Sequence, residues 1–94
     1  MRILVAEDEP AVSQFLGQGL GEVGYAVDLV RDGATALDYL DRIDYDLIIL
    51  DLMLPKVDGM SVLSQLRDRG SQTPVLILTV RGVGYKLSAK VECD

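Results

Sequence analysis

The chain has 94 residues, 49% apolar and 26% charged, which allows one domain with a modest core and argues against disorder. Fifteen acids against nine bases give a net charge of −6, a poor balance for a protein that must coat nucleic acid unaided. The single cysteine, Cys93, has no internal disulfide partner, which fits a reducing cytoplasm, and the absence of histidine excludes His-based catalysis and His-ligated zinc.

The first apolar run, Ile3–Ala6, is nearly continuous, as in a strand covered on both faces. It is too short for a membrane span or a signal-peptide core, and it leads straight into Glu7, Asp8 and Glu9. Pro10 suits the first turn of a helix, and Val12, Phe15, Leu16, Gly19, Leu20 and Val23 follow at helical spacing. Ala26–Val30 reads as a second strand whose central Asp28 points to an edge position with one wetter face. Ala36, Leu37, Leu40 and Ile43 form the stripe of a second helix, and Leu47–Leu50 a third strand ending at Asp51. Gly59, Val62, Leu63 and Leu66 form a third helical stripe ended near Gly70, and Val75–Leu78 is a fourth strand.

This order predicts an α/β fold, a parallel sheet with helices on both faces. In such sheets ligands bind beyond the carboxyl ends of the strands. There the spacing gathers Glu7, Asp8 and Glu9, then Asp51, then Thr79. Gathered carboxylates repel unless a cation joins them, and an all-oxygen site with room for water suits Mg²⁺. A carboxylate beside Mg²⁺ is also a competent nucleophile toward phosphorus. Acids of this kind are equally common as solvated turn residues, and spacing alone leaves both readings open.

Two other motifs weigh less. Gly19-Leu-Gly-Glu-Val-Gly24 has the spacing of a dinucleotide fingerprint, but it ends a helix where the fingerprint must open one. A phosphatase of the haloacid dehalogenase type would need an aspartate two residues after Asp51, where Met53 stands. Tyr25, Tyr39 and Tyr45 fall near element ends, as packing residues do.

Ile-Leu-Val-Ala-Glu-Asp-Glu at 3–9, Asp-Leu-Met-Leu-Pro-Lys-Val-Asp-Gly-Met at 51–60 and Pro-Val-Leu-Ile-Leu-Thr at 74–79 together resemble the receiver domain of bacterial two-component response regulators. The resemblance covers residues 1–79 and implies a flavodoxin-like, doubly wound sheet. It also implies a cytoplasmic phosphoacceptor rather than an enzyme, with at most self-catalysed phosphorylation and dephosphorylation. Asp51 would take phosphoryl from the phosphohistidine of a sensor histidine kinase. Glu7, Asp8, Asp51 and the main-chain carbonyl of Met53 would hold Mg²⁺, and Thr79 would supply the switch hydroxyl. Pro55, Asp58 and Gly59 would shape the loop into the third helix.

After Thr79 the pattern changes. Residues 1–79 carry a net charge of −7, and residues 80–94 a net of +1. The family's fourth helix, lysine-bearing fifth strand and fifth helix are missing. Thr79-Val-Arg-Gly-Val-Gly-Tyr-Lys-Leu87 instead resembles the terminal hairpin of the winged-helix DNA-binding domain of one response-regulator class. The chain therefore reads as a partial receiver (1–79) joined by an internal deletion to a winged-helix tail (80–94). Without a recognition helix, sequence-specific DNA binding is not expected.

The expected course of the tail is a turn at Arg81–Gly84 and an antiparallel strand over Val83–Ala89, or the same strand exchanged with a second copy. That turn would set Val80 opposite Tyr85 and Thr79 opposite Lys86, where Lys86 could stand in for the absent lysine; a solvated Lys86 is the plainer reading. Loss of two helices should also uncover Phe15, Leu16, Leu20 and part of the sheet, which predicts a homodimer. The rival reading of function is a truncated remnant, impaired in phosphorylation, that acts only as an oligomerising interaction protein.

Overall fold

The structure, a computed structural model, describes the backbone of residues 1–81 and 86–92 and the side chains of residues 1–78. Its order is β1 (Arg2–Ala6), α1 (Pro10–Glu22), β2 (Ala26–Val30), α2 (Gly33–Arg42), β3 (Leu47–Asp51), α3 (Gly59–Asp68), β4 (Val75–Arg81) and β5 (Lys86–Glu92). The strands form one sheet in the order β2-β1-β3-β4-β5. The first four run parallel, and β5 pairs antiparallel with β4. This is the α/β arrangement that the alternating pattern predicts and the flavodoxin-like sheet that the resemblance implies, with β2 at an edge as Asp28 suggests.

Alternation along the strands divides the core. Leu4, Ala6, Ile48, Leu50, Val75 and Ile77 face α2 and α3, where they meet Ala36, Val62, Leu63 and Leu66. Ile3, Val5, Ile49 and Leu78 face the other way, joined by Leu16 and Leu20 of α1. The expectation that Leu16 and Leu20 lie uncovered is thus corrected: both are partly buried against the sheet, because α1 packs over β1 and β2. Phe15 does stand out, at 73% exposure.

The helices start where side chains satisfy free N–H groups. Glu9 accepts from the Ala11 N–H at 3.4 Å ahead of Pro10, and Asp32 and Asp58 accept from the N–H groups of Thr35 (2.7 Å) and Ser61 (2.8 Å). Both turn glycines adopt a conformation closed to most side chains: Gly24, after α1, has φ 98° and Gly70, after α3, φ 83°. The fingerprint-like glycines are accordingly part of α1 and its exit.

The β4–β5 register differs from the expected one. Thr79 pairs with Ser88, Val80 with Leu87 and Arg81 with Lys86, so β4 continues through Arg81 and the second strand begins at Lys86. The shift is two residues, which keeps every position on its expected face, so the apolar alternation alone could not distinguish the two registers. The rest of the expected turn, residues 82–84, and Tyr85 lie outside the described residues. Among the described residues no helix is long and apolar enough to cross a membrane.

Candidate functional site

The carboxyl ends of β1 and β3 meet at the centre of the sheet, next to each other in its order. Beyond Ala6 the β1–β2 ladder continues for one more bond, from the Glu7 N–H to the Val30 carbonyl (3.0 Å). This fixes Glu7 on the face shared by Ile3 and Val5, and its side chain is 1% exposed. Asp8 points to solvent, and Asp51, the last residue of β3, is 4% exposed. Carboxylate oxygens of Glu7, Asp8 and Asp51 lie within 4.8 Å of one another. Spacing had left these acids open between a shared site and solvated turns; two of the three are buried and all three converge.

Their electrostatics explain why the cluster wants a cation. Burial first, then hydrogen bonding to Asp51 and the charges of Asp51, Asp8 and Glu9, pushes the Glu7 carboxyl up to about 8. Its Oε2 atom is buried with no hydrogen-bond partner among the described residues. A buried acceptor left unpaired costs free energy, and a divalent ion among three carboxylates would supply both the missing partner and the missing charge. The donor set is all oxygen and one member is open to water, which fits Mg²⁺.

The loop after β3 holds Asp51 in place. The Met53 N–H donates to Asp51 Oδ1 (3.0 Å), a contact that residue types alone do not signal. The loop is pinned at both flanks: the Gly59 N–H donates to the Leu52 carbonyl (3.1 Å), and the Gly33 N–H of α2 to the Pro55 carbonyl (3.2 Å). Both glycines are forced by space. A Cβ on Gly59 would come 2.2 Å from the Asp51 carbonyl oxygen, and one on Gly33 1.8 Å from that of Val57. Lys56 sits between them with φ 68° and reaches Asp32 at 3.8 Å. Pro55, Asp58 and Gly59 therefore shape this loop, as the motif at 51–60 implied.

Asp51 pairs in register with Leu78, which brings Thr79 to the same end of the sheet; the Thr79 and Lys86 side chains lie outside those described. The backbone sets Lys86 opposite Arg81, not Thr79, about 7 Å farther along β4 than expected.

The family model of the response regulator receiver domain matches residues 3–91. The transcriptional activator protein IrlR of Burkholderia pseudomallei is 53% identical over 81 residues, 86% of this chain and 35% of that protein. The transcriptional regulatory protein TcrA of Mycobacterium tuberculosis is 49% identical over 82 residues, 87% of this chain and 32% of that protein. The chain thus spans about a third of the length of these relatives. Among solved structures, a Francisella response regulator receiver domain superposes with a TM-score of 0.81 at 35% identity, covering 88% of this chain and 69% of that one. Response regulator TrrA of Thermotoga maritima, determined in complex with Mg²⁺-BeF, gives 0.77 at 36% identity, covering 83% and 68%.

Proposed function

The chain belongs to the response regulator receiver domain family, and on that premise we propose that it accepts a phosphoryl group on Asp51 from the phosphohistidine of a sensor histidine kinase in the cytoplasm. The observation that carries this reading is the convergence of Glu7, Asp8 and Asp51, with a buried Glu7 oxygen that has no partner among the described residues.

In the transfer, an Asp51 carboxylate oxygen attacks phosphorus and the P–N bond of the phosphohistidine breaks, its electron pair returning to the imidazole nitrogen. The product is an acyl phosphate on Asp51. The Met53 N–H holds Oδ1 and so orients the carboxylate for attack. Glu7, Asp8, Asp51 and the Met53 main-chain carbonyl would hold Mg²⁺, which would supply positive charge to offset that on the transferred group. The Thr79 hydroxyl is the switch group, on the residue that follows Leu78, the register partner of Asp51. The stand-in role for Lys86 loses its expected neighbour, since its backbone pairs with Arg81 rather than Thr79.

Residues 79–88 are read as the end of a winged-helix domain, joined to the receiver through an internal deletion. Support comes from the Thr79–Leu87 pattern and from the transcriptional regulators among the relatives. The chain also pairs with a second copy, for which exposed Phe15 and the β5 edge that faces no strand among the described residues provide surface. The intact acid set favours phosphoryl acceptance over a purely interacting remnant.

The deciding experiment is incubation with Mg²⁺ and a small phosphodonor, followed by mass spectrometry. An acid-stable, base-labile phosphoryl adduct on Asp51 that is lost in Asp51→Asn is expected. An unmodified Asp51 under conditions that label an intact receiver would overturn the proposal.

A further inference from the structure

β5 is the last strand of the sheet, so one of its edges pairs with β4 and its other edge faces no strand among the described residues. Such an edge is a ready template for another strand. Its sequence, Lys86-Leu-Ser-Ala-Lys-Val-Glu92, reads complementarily against its own reverse. We infer that this edge binds the same edge of a second copy, antiparallel about a two-fold axis at Ala89, joining two five-stranded sheets into one.

Three features select this register. Centred on Ala89, it sets Lys86 opposite the partner's Glu92 twice, Leu87 opposite the partner's Val91 twice, and uses all seven residues of the strand. Centring on Ser88 sets Lys86 against Lys90, and centring on Lys90 sets that lysine against its own copy, both like-charge pairs. The register also agrees with the faces of the sheet. Leu87, Ala89 and Val91 pair with Val80, Leu78 and Leu76, and Leu78 and Leu76 belong to the α1 side. A two-fold axis normal to the sheet keeps each face on its own side, so the apolar file of one copy runs on into that of the other. α1 packs over β1 and β2, at the far end of the sheet from this edge.

The inference deepens the self-association reading above by naming its surface, and it is independent of the chemistry at Asp51. Sedimentation of the full chain tests it, with far-UV circular dichroism as the control for folding. Wild type should dimerise at tens of micromolar at low ionic strength. Lys86→Glu and Glu92→Lys should each weaken self-association by about tenfold or more, since both ion pairs become like-charge pairs. An equimolar mixture of the two variants should recover wild-type association, because each then meets its opposite charge. A monomeric wild type would overturn both the surface and self-association. A dimer indifferent to these changes, or a mixture that fails to recover, would overturn this surface alone.

Discussion

Glu7 holds its proton far above the ordinary carboxylate range because water is excluded from it and three other acids crowd it. Its carboxyl in the unfolded chain titrates near 4.5, and in the fold at about 8. The folded state therefore binds the extra proton, and its contribution to stability is full below pH 4.5 and lost as pH rises to about 8. The metal-free protein should accordingly melt lower at pH 8.5 than at pH 6. Glu7→Gln, which cannot ionise, should flatten that slope and raise the alkaline melting temperature by on the order of 5 °C in a calorimetric scan. Mg²⁺ competes with the same proton, so its apparent affinity should rise with pH up to about 8, by at most about tenfold per unit, in a titration followed by calorimetry. The acids and their strand ends are legible in the sequence. The different fates of Glu7 and Asp8 are not legible, because strand parity sets them on opposite faces that are both covered along β1. The Met53 N–H to Asp51 bond is not legible, because it depends on backbone direction in a loop.

At the scale of elements, the helices owe their start points to single acidic caps. Asp32 and Asp58 are held below the usual carboxylate range by backbone hydrogen bonds from Thr35 and Ser61 respectively. A lowered folded value means that this support is present above about pH 4 and lost as the caps protonate in acid. Asp58→Ala should lower the melting temperature at neutral pH and remove part of the acid dependence. Gly59 is the tightest point between α3 and the Asp51 loop. Gly59→Ala should cost about 1–3 kcal/mol in urea unfolding and, by moving the Asp51 backbone, also slow phosphorylation at that residue. The three apolar stripes made the helices readable, and Pro10 marked the start of α1. The docking of α2 onto the loop after β3 was not readable, because Gly33 meets the Pro55 carbonyl only once the strands are in place. The hairpin register escaped for a related reason: a two-residue slip preserves every face, and several glycine placements satisfy the turn.

Across the whole molecule, β1 and β3 are paired on both sides and carry the fully buried side chains on which the two core clusters rest. Their amides should be the slowest to exchange with deuterated solvent, close to the global unfolding rate, and Ile48→Ala should cost about 2–5 kcal/mol in the same urea assay. The two outer strands differ in kind. At the β2 edge, Asp28 accepts hydrogen bonds from the Tyr45 hydroxyl (2.6 Å) and from Arg2, whose guanidinium also lies over the Tyr45 ring. On the inferred pairing through β5, the joined sheet would carry a β2 strand at each outer end, so the charge of Asp28 would stand beside both of its remaining edges.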